Sequence, residues 1–224
     1  MKIFALSTLA AAMAASVMFA VGTVHADDDD GVMTYAVTIT NITRGQIIAP
    51  PAVIAHNGDY RMFMAGKPAS LELAQLSEAG NGGAVTSAAT GMPAVYSTAL
   101  GNGGILPGMS QTIEIQTTKY FSEFTVGAML ATTNDGFMSI SGVRAPKRGA
   151  TTVEAIGYDA GSEANSEDCA YIPGPPCGDK RHNPAPSEGY VHVHAGFHVG
   201  GSGLNPAQHD WRNPVAQIEI KRVN

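Results

Sequence analysis

Three carboxylates in two short stretches could do chemistry together: Asp135 in Thr133-Asn134-Asp135-Gly136, and Asp159 and Glu163 in Tyr158-Asp159-Ala160-Gly161-Ser162-Glu163. Acids beside glycine supply oxygen ligands on backbone that can curl round a hard cation, which is the chemistry of calcium. The same residues make ordinary solvated turns, because Asn, Asp and Gly favour turn conformations. Between them, Phe137–Ser141 and Thr152–Ile156 alternate with period two. Asp135 therefore stands before one expected strand, and Asp159 and Glu163 follow another. If those strands are neighbours, the three acids converge at one rim of a sheet.

A second set of candidate ligands is nitrogenous. Tyr190 to Val199 alternates, with Val191, Val193, Ala195, Phe197 and Val199 on one expected face and Tyr190, His192, His194 and His198 on the other. Two imidazoles spaced i, i+2 on a strand lie about 7 Å apart at their backbones, and such a pair can converge on zinc or copper. His209 and Asp210 follow nearby. Against this, the alternation assigns the histidine face to solvent, where imidazoles need no ligand.

Other chemistries find less support. There is no Gly-x-Ser-x-Gly elbow for a serine nucleophile. A carboxylate pair for glycoside hydrolysis could be drawn from Asp135, Asp159 and Glu163, but a bound cation would claim the same groups. Trp211, the sole tryptophan, is expected to pack beneath a loop rather than to anchor a partner.

The N-terminus opens with Lys2, an apolar Ala-rich run from Ile3 to Val21 and the small-residue exit Val24-His25-Ala26. This is the pattern of a secretory leader over residues 1–26 and predicts export to the periplasm or the exterior. An acidic, disordered terminus is expected over residues 27–33, led by Asp27–Asp30. The remainder, 34–224, is enough for one well-buried domain. The formal charge of −6 becomes −7 once Lys2 leaves with its acid-free leader. Such a balance argues against nucleic acid as a partner. No later stretch is apolar enough to span a bilayer as a helix. Cys169 and Cys177 share a Pro-rich loop, and in an oxidising compartment they are expected to bridge.

The elements that must position these residues are mostly strands. Thr34–Asn41, Gln111–Thr117, Glu123–Ala131 and Val215–Val223 alternate as half-buried strands do, while Pro50-Pro51 breaks the apolar run Ile47–His56. Pro68, the spacing of Leu73, Ala74 and Leu76, and Gly80 predict a helix over Ala69–Ala79. Gly80–Gly108 reads as a long loop with one short helix, and Glu163–Ser187 as a long bridged loop. The resulting expectation is an all-β, antiparallel β-sandwich with one or two short helices in its connections.

Taken in order, several pieces resemble the spondin N-terminal domain. They are the opening strand Tyr35–Asn41; Pro50-Pro51-Ala52-Val53 through His56-Asn57; Tyr60–Phe63 and Ala69-Ser70, with the helix ending Glu78-Ala79-Gly80; the two acid loops; and the closing Asp210–Ala216. The resemblance implies a sandwich related to C2-type lipid-binding domains. It also implies a calcium ion held by Asp135, Asp159 and Glu163, and a non-catalytic role in adhesion or recognition of an extracellular protein, glycan or lipid surface. Two departures stand out: Gly136 intervenes before the aromatic Phe137, and Glu163 replaces an aspartate. The alternative is a copper- or zinc-dependent redox or hydrolytic enzyme built on His192, His194 and His198.

Overall fold

The computed structural model describes residues 31–198 and 204–223. The expected leader, the Asp27–Asp30 run and Val199 lie outside them. In chain order the elements are β1 (Val32–Asn41), β2 (Ala52–His56), α1 (Leu71–Ala79), α2 (Gly82–Ala89), β3 (Val95–Leu100), β4 (Ser110–Thr118) and β5 (Glu123–Met129). There follow β6 (Gly136–Arg144), β7 (Ala150–Asp159), β8 (His192–Val193), α3 (Pro206–His209) and β9 (Ala216–Arg222). All strand pairings are antiparallel, in the order β3-β2-β5-β6-β7-β9-β1-β4, with β8 added beside β7. The expected all-β class is the observed one.

Two faces of this sheet close on each other because β7 changes partner along its length. Its first half, Ala150–Ala155, pairs with β9, and its last residues, Ile156–Asp159, pair with β6. The alternating inward residues of β1 (Tyr35, Val37, Ile39), β4 (Ile113, Ile115) and β9 (Ile218, Ile220) meet Phe124, Val126 and Ala128 of β5 and Met138 and Ile140 of β6 in one core. Outward positions on β1 and β4 carry threonine and serine, whose hydroxyls pair across the strands at Thr38–Thr112 and Thr40–Ser110. At the open side Ser97 Oγ donates to the Gln116 carbonyl, tying β3 to β4.

The second face of β2, β5 and β6 is also buried, so every residue of β5 after Glu123 is buried although its sequence alternates. Here α1 and α2 cover it: Leu73, Leu76, Val85 and Ala89 pack with Ala52, Ile54, Tyr60, Met62 and Phe137. Ser70 caps α1, its Oγ accepting the Leu73 N–H at 3.2 Å, and Gly80 closes the helix in the left-handed conformation (φ 66°). Burying each leucine contributes roughly 1.5–3 kcal/mol, so packing rather than propensity holds this nine-residue helix.

Two expectations change. Gly80–Gly108 is not mainly loop: it holds α2 and β3. Their weak signal has a physical cause, since α2 is built of Gly, Ala, Ser and Thr around the single larger apolar residue Val85, and β3 is a half-exposed edge strand without alternation. The long strand expected at Tyr190–Val199 is reduced to the two residues of β8, and its faces are not as alternation assigned them. Val193 is 55% exposed and His194 only 9%. β8 fills the short stretch of β7 that β9 has left, the His194 N–H bonds to the Gly157 carbonyl, and the chain then turns at Gly196.

Candidate functional site

The β6–β7 pairing brings the two acid loops together, with Gly136 opposite Asp159 in register. Asp135 is set by a turn in which Thr133 Oγ1 donates to the Leu130 carbonyl at 2.7 Å and accepts the Gly136 N–H at 2.8 Å. Its Oδ2 accepts the backbone N–H groups of Ser162 (2.7 Å) and Glu163 (2.9 Å), and its Oδ1 is buried with no hydrogen-bond partner. Asp159 Oδ1 accepts the Gly161 N–H at 2.7 Å, and Oδ2 accepts from Asn165 Nδ2 at 2.5 Å. Both acids are fully buried.

No lysine or arginine forms an ion pair with Asp135 or Asp159 among the described residues. Burial first, and then the neighbouring charge of Asp159, raise the Asp135 carboxyl to about 7, although three hydrogen bonds from Ser162 and Glu163 oppose the shift. An orphaned carboxylate oxygen beside a second buried acid is the arrangement a bound cation would complete.

Glu163 does not join them through its carboxylate. Its Oε1 instead accepts the Asn183 N–H and stands 3.4 Å from His182 Nδ1, whose ring also contacts Glu78 Oε2 at 3.1 Å. Among the described residues, the sets of three side chains with ligand atoms mutually within 4.8 Å are Glu78/Glu163/His182 and Asp159/Glu188/His192. The expected trio Asp135/Asp159/Glu163 therefore meets as two carboxylates and one backbone N–H, with Glu163 facing the end of α1. Burial, chiefly, holds the Glu163 carboxyl at about 7, with the Asn183 N–H opposing it.

The histidines separate in the same way. His192 Nε2 lies 3.6 Å from Asp159 Oδ1 and His194 Nε2 lies 4.0 Å from Asp159 Oδ2, both nitrogens buried and without hydrogen-bond partners. His192 Nδ1 bonds the Val193 carbonyl at 3.0 Å, which requires a proton on Nδ1 and leaves a lone pair on Nε2. His194 is the reverse: its Nδ1 accepts the Gly196 N–H at 3.0 Å, which puts the proton of the neutral ring on Nε2. Burial, then the nearby His192 and His198, lower the His194 pKa to about 4, so the ring is neutral at pH 7. His194 thus points an N–H at Asp159 and does not offer a free ligand atom. His198 is turned to Glu167, whose Oε1 accepts its backbone N–H at 2.6 Å and lies 2.9 Å from its Nδ1. His209 Nδ1 accepts the Asn205 N–H, and Asp210 binds Arg212 and the Phe197 N–H.

Trp211 packs under the loop as expected, 6% exposed, with its ring 4.8 Å from His194 and 5.9 Å from Phe197. The Cys169–Cys177 bridge is present, and no helix of the described residues is long and apolar enough to cross a membrane. A cavity of about 10 Å³ between Thr133, Asn134, Asn165, Glu167 and His194 has room for about one water, not for an organic substrate. Sequence reasoning missed Glu188 and Asn165. Asn165 Nδ2 also reaches Glu188 Oε1 at 3.3 Å, but the separation of these residues along a loop without periodicity gave no signal. No protein-family model matches the chain, and no curated protein matches it either.

Proposed function

We propose that the chain is an exported, non-catalytic recognition module whose Asp135–Asp159 pair holds a divalent cation, calcium by preference. The observation that carries this reading is the buried, unpartnered Oδ1 of Asp135 beside Asp159, with no lysine or arginine paired to either among the described residues. Oxygen donors dominate what is in reach: Asp135, Asp159 and Glu188, with Asn165 beside them. Oxygen-rich sets on loops suit calcium. The spondin-like motifs point to the same two aspartates, and rotation of Glu163 away from Asn183 would add a third. The ion would hold the loop after β7 against the turn before β6 and so fix the rim that meets a protein, glycan or lipid surface.

The deciding experiment is metal analysis of the mature protein with thermal melts in calcium and in chelator. Bound calcium, and a Tm that calcium raises in the parent protein but not in Asp135→Asn, support the reading. An unchanged calcium response in Asp135→Asn would end it.

A second reading rests on His192. Its Nε2 lone pair, 3.6 Å from Asp159 Oδ1, is spaced like two ligands of one zinc or copper ion, which stand about 3.3 Å apart when each is about 2 Å from the metal. Zinc bound in preference to calcium, and lost in His192→Ala, would favour that reading.

A further inference from the structure

The end of the sandwich opposite the acid loops carries a different chemistry. A cavity of about 560 Å³ opens there, lined by Met33, Tyr35, Ser122 and Ala145 and by five cations: Lys119, Arg144, Lys147, Arg148 and Arg222. The chain has 13 lysines and arginines and a net charge of −6, so a large share of its positive charge is gathered at one concavity. The fold causes the convergence. Lys119 follows β4, Arg144 ends β6, Lys147 and Arg148 form the turn into β7, and Arg222 ends β9. β6 separates this end from Asp135 by its whole length, about 30 Å for nine residues.

Four of these cations, Lys119, Arg144, Lys147 and Arg148, are not spent on structural ion pairs among the described residues. Glu123, opposite Arg144 in the β5–β6 register, is the acid on the neighbouring strand and makes no such pair. The floor is built: Tyr35 is 1% exposed and its hydroxyl donates to the Pro146 carbonyl at 3.0 Å, while Arg222 Nη1 donates to the Lys147 carbonyl at 3.2 Å. These bonds fix the turn that presents Lys147 and Arg148. A second hollow of about 340 Å³ shares Lys147, Arg148 and Arg222, which extends the basic surface outward. Beside it Lys119 lies 4.9 Å from the centre of the Tyr120 ring, itself 73% exposed.

We infer that this cavity is a binding site for a phosphate-bearing ligand. Guanidinium forks match phosphate oxygens two at a time, and lysine adds point charge. Lys119, Arg144, Lys147 and Arg148 together exceed what one carboxylate would neutralise and suit a multiply charged group. The volume falls in the range of small-molecule sites and leaves room for the body that carries the phosphate, against the Met33, Tyr35 and Ala145 side of the cavity. A soluble phosphorylated saccharide and a phospholipid headgroup share this chemistry.

The test uses the full mature chain at low ionic strength. Calorimetric titration with inorganic pyrophosphate is run beside co-sedimentation with phosphatidylglycerol vesicles and with phosphatidylcholine vesicles. The Arg144→Gln/Arg148→Gln variant is compared with Lys180→Gln/Arg181→Gln, which removes the same charge elsewhere, and melts verify that both fold. Saturable pyrophosphate binding, weakened at least about tenfold by the first variant and unchanged in the second, establishes the site. The same variant pattern confined to phosphatidylglycerol vesicles establishes it with a lipid source of phosphate. Absence of binding to both probes, or equal loss in the two variants, overturns the assignment.

Discussion

Asp135 Oδ2 accepts the backbone N–H of Glu163 at 2.9 Å, so these two acids are joined through main chain while the Glu163 carboxylate turns to Asn183. The consequence is a site in two parts. Asp135 lies close to Asp159, and Asp159 in turn meets the His192 and His194 rings, while the Glu163 carboxylate faces Asn183, His182 and Glu78. Substitution can therefore separate the parts. Asp135→Asn keeps an oxygen for the Ser162 and Glu163 N–H groups and removes a buried charge. The new amide must itself be satisfied, which offsets part of the gain. Without cation at pH 8 the variant should be as stable as the parent or more so, by on the order of 1 kcal/mol, while its response to calcium vanishes. Glu163→Gln should weaken that response less. Paired melts in calcium and chelator read both.

The raised carboxyls also set a pH dependence. Asp135 and Glu163 titrate near their usual values when unfolded and at about 7 when folded, so the native state holds more protons between roughly pH 4 and 7. Their contribution to stability is present below the unfolded values and is lost as pH rises through 7. His194 acts oppositely: lowered to about 4, it contributes stability above its usual 6.5 that is lost as pH falls toward 4. Between about pH 6.5 and 7.5 the pH dependence contributed by the His194 and His56 imidazoles, both lowered by burial, fades, and the two carboxyls outweigh it. The Tm of cation-free protein should fall across that interval, and saturating calcium should flatten the slope. A Tm rising with pH in chelator would contradict the assignment.

How much of this was legible depended on the range over which each pattern acts. Alternation in Tyr35–Ile39, Ile113–Ile115 and Ile218–Ile220 reported the sandwich core, because both neighbours of each residue along the strand face the other way. The Ser70 and Gly80 caps likewise placed α1. The Tyr190–Val199 alternation misled because Val191 packs under α1 and α2 while His194 packs against Trp211, two different environments on one short segment. The acids were found as residues but not as a geometry. Where the Glu163 carboxylate points is settled by Asn183, twenty residues along the chain.

Gly161 holds the two loops of the site together. It adopts φ 64°, its carbonyl accepts the Gly189 N–H at 2.9 Å, and a Cβ there would fall on the Tyr190 backbone. Gly161→Ala should push the 188–192 segment away from Asp159, costing about 1–3 kcal/mol from left-handed strain and overlap. Because Glu188 and His192 lie on that segment, calcium or zinc affinity should fall along with Tm. A titration showing full affinity in a destabilised Gly161→Ala would remove the segment from the site.

Trp211 gives an optical readout of the same region. A Cβ on Gly157 would lie 3.0 Å from its Nε1, so Gly157→Ala makes the indole, packed beside His194, give by a few tenths of an ångström. The expected cost of this overpacking is about 1–3 kcal/mol, with a shift in emission as the surroundings of the ring change. Trp211 is the sole tryptophan, so the emission is unambiguous. Unchanged emission and Tm would show that the backbone absorbs the methyl group.

The Cys169–Cys177 bridge closes a loop of eight residues' separation, just after Ser166 and Glu167, which bond Asn134 beside the site. Short closure limits its effect on the unfolded chain to about 2–3 kcal/mol. The sheet holds its own core independently of that loop, so Cys169→Ser/Cys177→Ser should fold, melt lower by several degrees, and be cut by protease first between 163 and 187. Limited proteolysis with mass mapping decides it. First cleavage within β5 or β6 would mean that the bridge supports the sandwich itself and not only the loop laid over its acid rim.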